Sequence, residues 1–400
     1  MANRGKKRRV LSYLLSYDTN LIVSVIFLIV FGLIMLYSAS YYTASMRQSF
    51  NYDSAYFLKS QLKYSVAGLI LMMIVANIDY KKWRYFAVLG LVGSAVLILL
   101  LLVPGLGVTV KGATRWIRIP GLGQFQVAEP VKVAMIIFSA AFICKYASAL
   151  NNLRTFIKVM IPTVVISAMI LKFSDNMSTA LIVLGISFLM AFMVYPKYYP
   201  FVILAVVGVL AAAGIIYYSM NVADSDSAFR IGRIQAWLDP YAEEYADKSY
   251  QPLQALYAIG SGGLFGKGLG NSIQKLGGIP EPYNDMIFAV VCEELGVFGA
   301  GIVILMFIYL LYRLYSVAQQ AEDLFGRLLA IGVFAHVALQ VLLNLMVVTS
   351  LMPTTGVTLP FFSSGGTATV FLLIEIGMVL NVEKKSRFKR ERDLREARLE

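Results

Sequence analysis

Histidine, cysteine and charge are all scarce in this chain. A single histidine, His336, in 400 residues excludes histidine-rich metal centres and argues against a Ser-His-Asp triad. It lies in the middle of an apolar run, where a histidine satisfied inside a helix bundle is the expected role. The two cysteines, Cys144 and Cys292, are far apart and embedded in apolar sequence, so neither a disulfide framework nor a cysteine metal site is indicated. Charged residues make up only 14% of the chain, too few for the surface of a soluble protein of this length.

What is abundant is apolar sequence: 58% of residues are hydrophobic and the mean hydropathy is +0.71. These residues fall in repeated blocks of about 20, the length that crosses a bilayer as a helix. The pattern predicts an all-α polytopic membrane protein with ten spans, near residues 21–41, 61–77, 85–103, 127–146, 156–171, 178–195, 199–218, 286–313, 325–348 and 365–382. The first block is too long for a signal-peptide core and reads as span one. Three regions follow: a basic N-terminus (1–20), a membrane domain (21–382) and a charged C-terminal tail (383–400).

The net charge of +12 takes its meaning from its location. Arg4, Lys6, Lys7, Arg8 and Arg9 precede span one and the tail is rich in Lys and Arg, which places both termini in the cytoplasm. Loops assigned to the cytoplasm carry roughly twice the Lys and Arg of those outside. The basic ends suit anionic inner-leaflet lipid, not nucleic acid. The longest connection, residues 219–285, then lies outside, with 104–126 and 349–364. Connections that long in a compact bundle usually carry function.

Several groups of residues can carry chemistry. Glu129 and Lys132 share a helix face within span four, where a charged pair is either functional or a structural salt bridge; Glu293, Glu294 and Glu375 pose the same question. The segment FRIGRIQAWLDP (229–240) predicts a short amphipathic helix with Ile231, Ile234 and Leu238 on one stripe and Arg230, Arg233 and Trp237 on another. Two arginines one turn apart suit a diphosphate, or alternatively lipid headgroups. Residues 260–270 hold six glycines but fail the Walker A pattern, since Ser261 replaces its first glycine and Gly268 follows Lys267. This run reads as an anion nest near Lys267 and Lys275, or as a flexible loop.

Asp285 precedes an apolar run and has helix N-cap as its simplest role. A continuous helix from Met286 to Arg313 would span about 42 Å, which would put Asp285 at the outer headgroup level. A polymer-building enzyme outside the cytoplasm lacks nucleotide energy, so its donor must arrive activated, as in a polyprenyl-diphosphate sugar. The protein must then supply a carboxylate base and cationic groups for the departing diphosphate. Asp285, Arg230, Arg233, Lys132 and Lys275 are of those types.

At this point the chain resembles the SEDS family, the FtsW/RodA/SpoVE group of peptidoglycan glycosyltransferases. The matching stretches are GATRWIRIPGLGQFQVAEPVK (112–132), RIGRIQAWLDP (230–240), residues 250–296 including PEPYNDMIF, and NLMVVTSLMPTTGVTLPFFSSGG (344–366). The resemblance implies polymerisation of lipid II, Asp285 as the catalytic carboxylate, and functional positions at Glu129, Lys132 and Arg115. Glu281, Gln254, Ser261 and Gly262, from the same stretches, complete the candidate substrate-binding set. It also implies a class B penicillin-binding protein as partner, with other division or elongation proteins. A divalent cation, Mg or Mn, is the one cofactor left open.

The chain departs from the family pattern in three places: Tyr283-Asn284 where His-Thr is usual, SDNMSTA (174–180) for a PDLGTA-like segment, and Ser364 where tyrosine is common. The WLDP segment and the GVTLP form at 356–360 look more like the FtsW/SpoVE branch, hence septal synthesis, than RodA-like elongation. A lipid II flippase using the intramembrane charges and a scaffold that only recruits the transpeptidase are the competing readings.

Overall fold

The computed structural model describes residues 17–110, 113–119, 123–150, 152–221 and 229–397. The basic cluster at Arg4–Arg9 and the side chain of Arg230 lie outside the described residues. Apolar helices dominate: α1 (Thr19–Met46), α2 (Tyr56–Ala76), α3 (Ala87–Leu100, preceded by a 3-10 turn Tyr80–Phe86), α4 (Ala128–Tyr146), α5 (Leu153–Phe173), α6 (Met177–Phe192) and α7 (Tyr199–Asn221). Two helices, α8 (Phe229–Leu238) and α9 (Ala246–Gly262), fill the long connection, and α10 (Ile287–Gln320), α11 (Leu324–Val348) and α12 (Gly366–Glu396) complete the chain.

Among the described residues nine helices are long and apolar enough to cross a membrane. The tenth expected span is α6, whose 16 residues rise about 24 Å, short of a hydrocarbon core of about 30 Å. Large apolar side chains line the outside of the bundle, as Val23, Phe27 and Val30 do on α1, which is how a protein solvated by lipid differs from one solvated by water.

The all-α class expected from the apolar blocks holds for the bundle, and one addition to it comes from the segment 104–126. It forms a three-stranded antiparallel sheet of β1 (Gly107–Val110), β2 (Ala113–Ile119) and β3 (Gly123–Gln126) in the order β1-β2-β3. The run ATRWIRI alternates with period two, so Ala113 and Ile117 are buried while Arg118 is exposed. Arg115 shares the inward face, and the strand's period thereby aims it into the protein.

The two ends of the bundle differ. At one end the start of α1 meets the ends of α2, α10 and α12: Asp18 caps α1 and pairs with Arg313, the Tyr17 hydroxyl donates to Asn77 (2.7 Å), and Lys385 pairs with Asp79. The Asn381 amide donates to the Ala76 carbonyl (2.7 Å). At the other end lie the sheet, α8, α9 and the connection 349–365, and these frame the polar site.

A correction concerns α10. Gly296 has φ 66° and ψ −165°, which breaks the helix into 287–295 and 297–320. The second part alone rises about 36 Å, enough to cross a bilayer, so the reasoning that placed Asp285 by one continuous helix does not hold. The first part is a separate short helix buried from Ile287 through Glu294.

Candidate functional site

The break in α10 explains the glycine run. Two helical hydrogen bonds that would cross Gly296, from the 297 and 298 amides to the 293 and 294 carbonyls, are exchanged for four bonds to the run: the Lys267 and Gly268 amides donate to the Glu293 and Glu294 carbonyls (2.9 Å each), and the Val297 and Phe298 amides donate to the Gly263 and Leu264 carbonyls (3.0 and 3.2 Å). Such an approach of two backbones leaves no room for Cβ atoms. One on Gly262 would stand 2.1 Å from the Cys292 carbonyl oxygen, and one on Gly266 2.1 Å from that of Glu294. Both readings from sequence, an anion nest and a flexible loop, give way to a backbone clasp.

The two glutamates at the break are consumed by the same clasp. Glu293 accepts from Lys267 Nζ (2.7 Å), from the amides of Ile273 and Gln274, and from Ser272 Oγ. Glu294 pairs with Lys275 Nζ at 2.5 Å and accepts from Ser38 Oγ of α1 at 2.7 Å, with both partners of the ion pair fully buried. Lys275 and Ser261 therefore stand behind the short helix, bonded to Glu294 and Glu293 respectively.

On the other side of that helix is Asp285. The N-cap position of α10 falls on Met286, and the Asp285 carboxylate instead accepts from Gln251 Nε2 of α9 at 3.2 Å. Its backbone is held by Asn344 of α11, whose amide donates to the Asp285 and Val357 carbonyls at 2.8 Å each. Asn344 is four residues from the end of α11 at Val348, which fixes Asp285 at this end of the bundle. Tyr283 packs against Phe57 with ring centroids 4.1 Å apart and planes tilted by 33°, and the Ser364 amide donates to its carbonyl. Burial, with the Glu281 charge adding, pushes the Tyr283 phenol up to about 12 and keeps it neutral.

Facing Asp285 is the connection 349–365. Gly356, at φ 74°, presents no side chain: a Cβ there would be 3.9 Å from Asp285 Oδ2. Two carbonyls of this connection anchor α8, with Trp237 Nε1 donating to Ser350 O (2.8 Å) and Arg233 Nη1 to Thr354 O (3.1 Å). Burial lowers the Arg233 pKa, and the charges of Asp285 and Asp175 oppose that shift. Arg115 Nη2 donates to the Asp175 carbonyl (2.9 Å). Arg115, Asp175, Arg233 and the 352–355 stretch line one cavity of about 130 Å³.

The fold thus brings Asp285, Arg233 and Arg115 to one end of the bundle. Gln254 is half-buried on α9, three residues beyond Gln251. Glu281 stays beside the site, accepting from Asn284 Nδ2 at 2.9 Å. Glu129 and Lys132 pair at 2.9 Å within the bundle core, beneath the connection. Gln251, Asn344 and Gly356 escaped the sequence reading. The signal for Asn344 was its spacing: His336, Gln340 and Asn344 recur every four residues and mark one polar stripe on an otherwise apolar helix.

These features define a polytopic helical membrane protein with a carboxylate and two guanidinium groups gathered at one end of its bundle. Residues 18–388 match the model of the FtsW/RodA/SpoVE family, described as cell cycle protein, and the chain belongs to that family. It is 36% identical to stage V sporulation protein E of Bacillus subtilis, over 93% of this chain and 98% of that one. It is 37% identical to a probable peptidoglycan glycosyltransferase FtsW of Trichlorobacter lovleyi, over 92% of this chain and 93% of that one. In three dimensions it superposes on rod shape determining protein RodA of Thermus thermophilus with a TM-score of 0.62 at 25% identity, covering 92% of this chain and 96% of that one. A chain from a peptidoglycan synthase complex gives 0.73 at 24% identity, covering 92% and 98%, a likeness of fold.

Proposed function

We propose that this protein is a peptidoglycan glycosyltransferase that polymerises lipid II at the outer face of the cytoplasmic membrane, with Asp285 as general base. The observation that carries the reading is a half-buried carboxylate, Asp285, whose charge acts on Arg233, at the end of the bundle where Arg233 and Arg115 line one cavity. Membership of a family that includes FtsW glycosyltransferases supports the same activity.

In the proposed reaction an acceptor sugar hydroxyl attacks the anomeric carbon of the donor. Its proton passes to the Asp285 carboxylate as the new glycosidic bond forms and the bond to the diphosphate breaks. The Gln251 amide on Oδ1 orients that carboxylate, and Gly356 leaves room beside Oδ2. Negative charge builds on the leaving diphosphate, where two guanidinium groups stabilise it more than they stabilise the substrate. A single displacement inverts the anomeric centre and needs no second carboxylate nucleophile. Among the described residues no three His, Cys, Asp or Glu side chains gather as metal ligands. A Mg or Mn ion could be held by Asp285 with the substrate's own phosphate oxygens, adding charge stabilisation there.

A flippase would need intramembrane charges lining a path. Here Glu129, Glu293 and Glu294 are each bonded to a lysine, and Glu375 to His336. These closed pairs favour the polymerase. The 36–37% identity to SpoVE and FtsW proteins supports septal or sporulation synthesis over elongation. In this reading a class B penicillin-binding protein crosslinks the strands, and the basic ends of the chain favour termini in the cytoplasm. The test is strand synthesis from purified lipid II by the protein with its transpeptidase partner. Asp285→Asn abolishes synthesis on this reading, and undiminished synthesis by that variant would sink it.

A further inference from the structure

Beneath the connection that faces Asp285 lies a second polar group that the proposed chemistry does not use. It comprises Glu129 and Lys132 of α4, His336 and Gln340 of α11, and Glu375 of α12, each less than a tenth exposed. Lys132 Nζ is 2.9 Å from Glu129 and donates to Gln340 Oε1 at 3.2 Å. Gln340 Nε2 donates to the Thr358 carbonyl at 3.1 Å. His336 Nε2 lies 2.9 Å from Gln340 Oε1, and His336 Nδ1 lies 2.7 Å from Glu375 Oε2.

The chemistry of these atoms allows one arrangement at Gln340. An ammonium can only donate and a carbonyl can only accept, so Lys132 holds Oε1 on its side of the amide and Thr358 holds the NH2 on the other. Turning the amide over would set NH2 against the ammonium and oxygen against oxygen. Because Oε1 only accepts, His336 Nε2 must carry a proton and donate it. The ring cannot rotate away, because Nδ1 is engaged by Glu375, with one proton held between those two atoms.

We propose that His336, anchored by Glu375, is a positioning residue for the connection 353–363: its Nε2–H fixes the Gln340 amide, which holds Thr358 and so sets Gly356 and Thr354 opposite Asp285 and Arg233. The Thr354, Val357 and Thr358 carbonyls of one run of backbone accept from Arg233, Asn344 and Gln340 in turn, and Gly356 among them faces Asp285. Loss of the lowest anchor frees a segment whose upper contacts form the site. The effect on turnover rests on the glycosyltransferase reading; the hydrogen-bond arrangement does not.

The test exploits the single histidine, because ¹⁵N-histidine labelling reports His336 alone. In full-length protein in lipid nanodiscs at neutral pH, Nε2 carries the proton. Glu375→Gln, whose amide can still donate to or accept from Nδ1, keeps that signature, leaves amide exchange of residues 354–359 within about twofold of the parent, and keeps kcat within about threefold. Glu375→Leu and Gln340→Leu each speed that exchange at least about tenfold and lower kcat about tenfold, with KM for lipid II little changed. An unprotonated Nε2 in the parent, a Gln340→Leu variant with parental exchange, or a Glu375→Gln variant as impaired as Glu375→Leu would each overturn the proposal. A parent that makes no polymer while retaining the Nε2 proton and the exchange pattern would instead remove the glycosyltransferase reading alone.

Discussion

Replacing Lys275 by methionine separates two roles for this residue. From sequence it stands among the candidate diphosphate ligands; in the fold its ammonium and the Glu294 carboxylate are both fully buried, 2.5 Å apart, with Ser38 Oγ donating to the same carboxylate. Lys275→Met leaves Glu294 buried with the Ser38 hydroxyl as its remaining side-chain donor. Removing one partner of a buried pair costs about 3–5 kcal/mol, because the other charge has lost its compensation. At 1.4 kcal/mol per factor of ten, the folded-to-unfolded ratio falls roughly 150- to 4,000-fold. Adding Glu294→Gln removes the stranded charge and keeps an acceptor for Ser38, so the double variant recovers to within about 1 kcal/mol of the parent. Thermal unfolding of the purified proteins in detergent measures both. A Lys275→Met protein of parental stability that has lost strand synthesis would refute the structural role and return Lys275 to the substrate.

Further predictions concern the site and its frame. Gly296→Ala would place a Cβ 2.4 Å from Gly266 N and Leu264 O at a positive φ, so the clasp must open; yield of folded protein collapses, as size-exclusion profiles of the variant will show. Arg233→Lys keeps the charge but loses the planar fork that can hold Thr354 and a phosphate together, and strand synthesis falls about tenfold or more with little change in Tm. Gly356→Ala costs about 1–2 kcal/mol at its left-handed backbone and sets a methyl in van der Waals contact with Asp285 Oδ2, where a reacting hydroxyl would have to sit, lowering kcat in the same assay. Tyr283 is held neutral in the fold, with its pKa raised from 10.0 to about 12, so the folded state binds the proton more tightly than the unfolded one. Stability is therefore full below pH 10 and declines as pH rises toward about 12; Tyr283→Phe flattens that decline in a pH series of melting curves.

Much of the frame was legible before any coordinates. Apolar blocks of bilayer length announce the spans because backbone groups in lipid must bond within their own segment, so each span is a local object. The α8 helix was equally local: its stripes and the Asp239-Pro240 stop can be read from twelve consecutive residues, and the helix ends at Leu238. The sheet at 107–126 was hidden by composition, although ATRWIRI alternates in the required way. The broken α10 was hidden more deeply. Nothing between Ile287 and Gln320 distinguishes Gly296 from Gly299 or Gly301, which stay helical; the difference is made by residues 263–268 arriving from elsewhere in the chain.

The sequence by itself determined the membrane-spanning class, the family resemblance and the residue types from which a site could be made. Tertiary structure decided which of those residues share the site. Lys275 and Arg233 are both cations of the same long connection, yet one is drawn behind the short helix to neutralise Glu294 while the other turns toward Asp285 and Asp175. A charge in a bundle goes where an opposite charge and a full set of hydrogen bonds offset its desolvation, and those partners come from distant segments whose meeting no local pattern records.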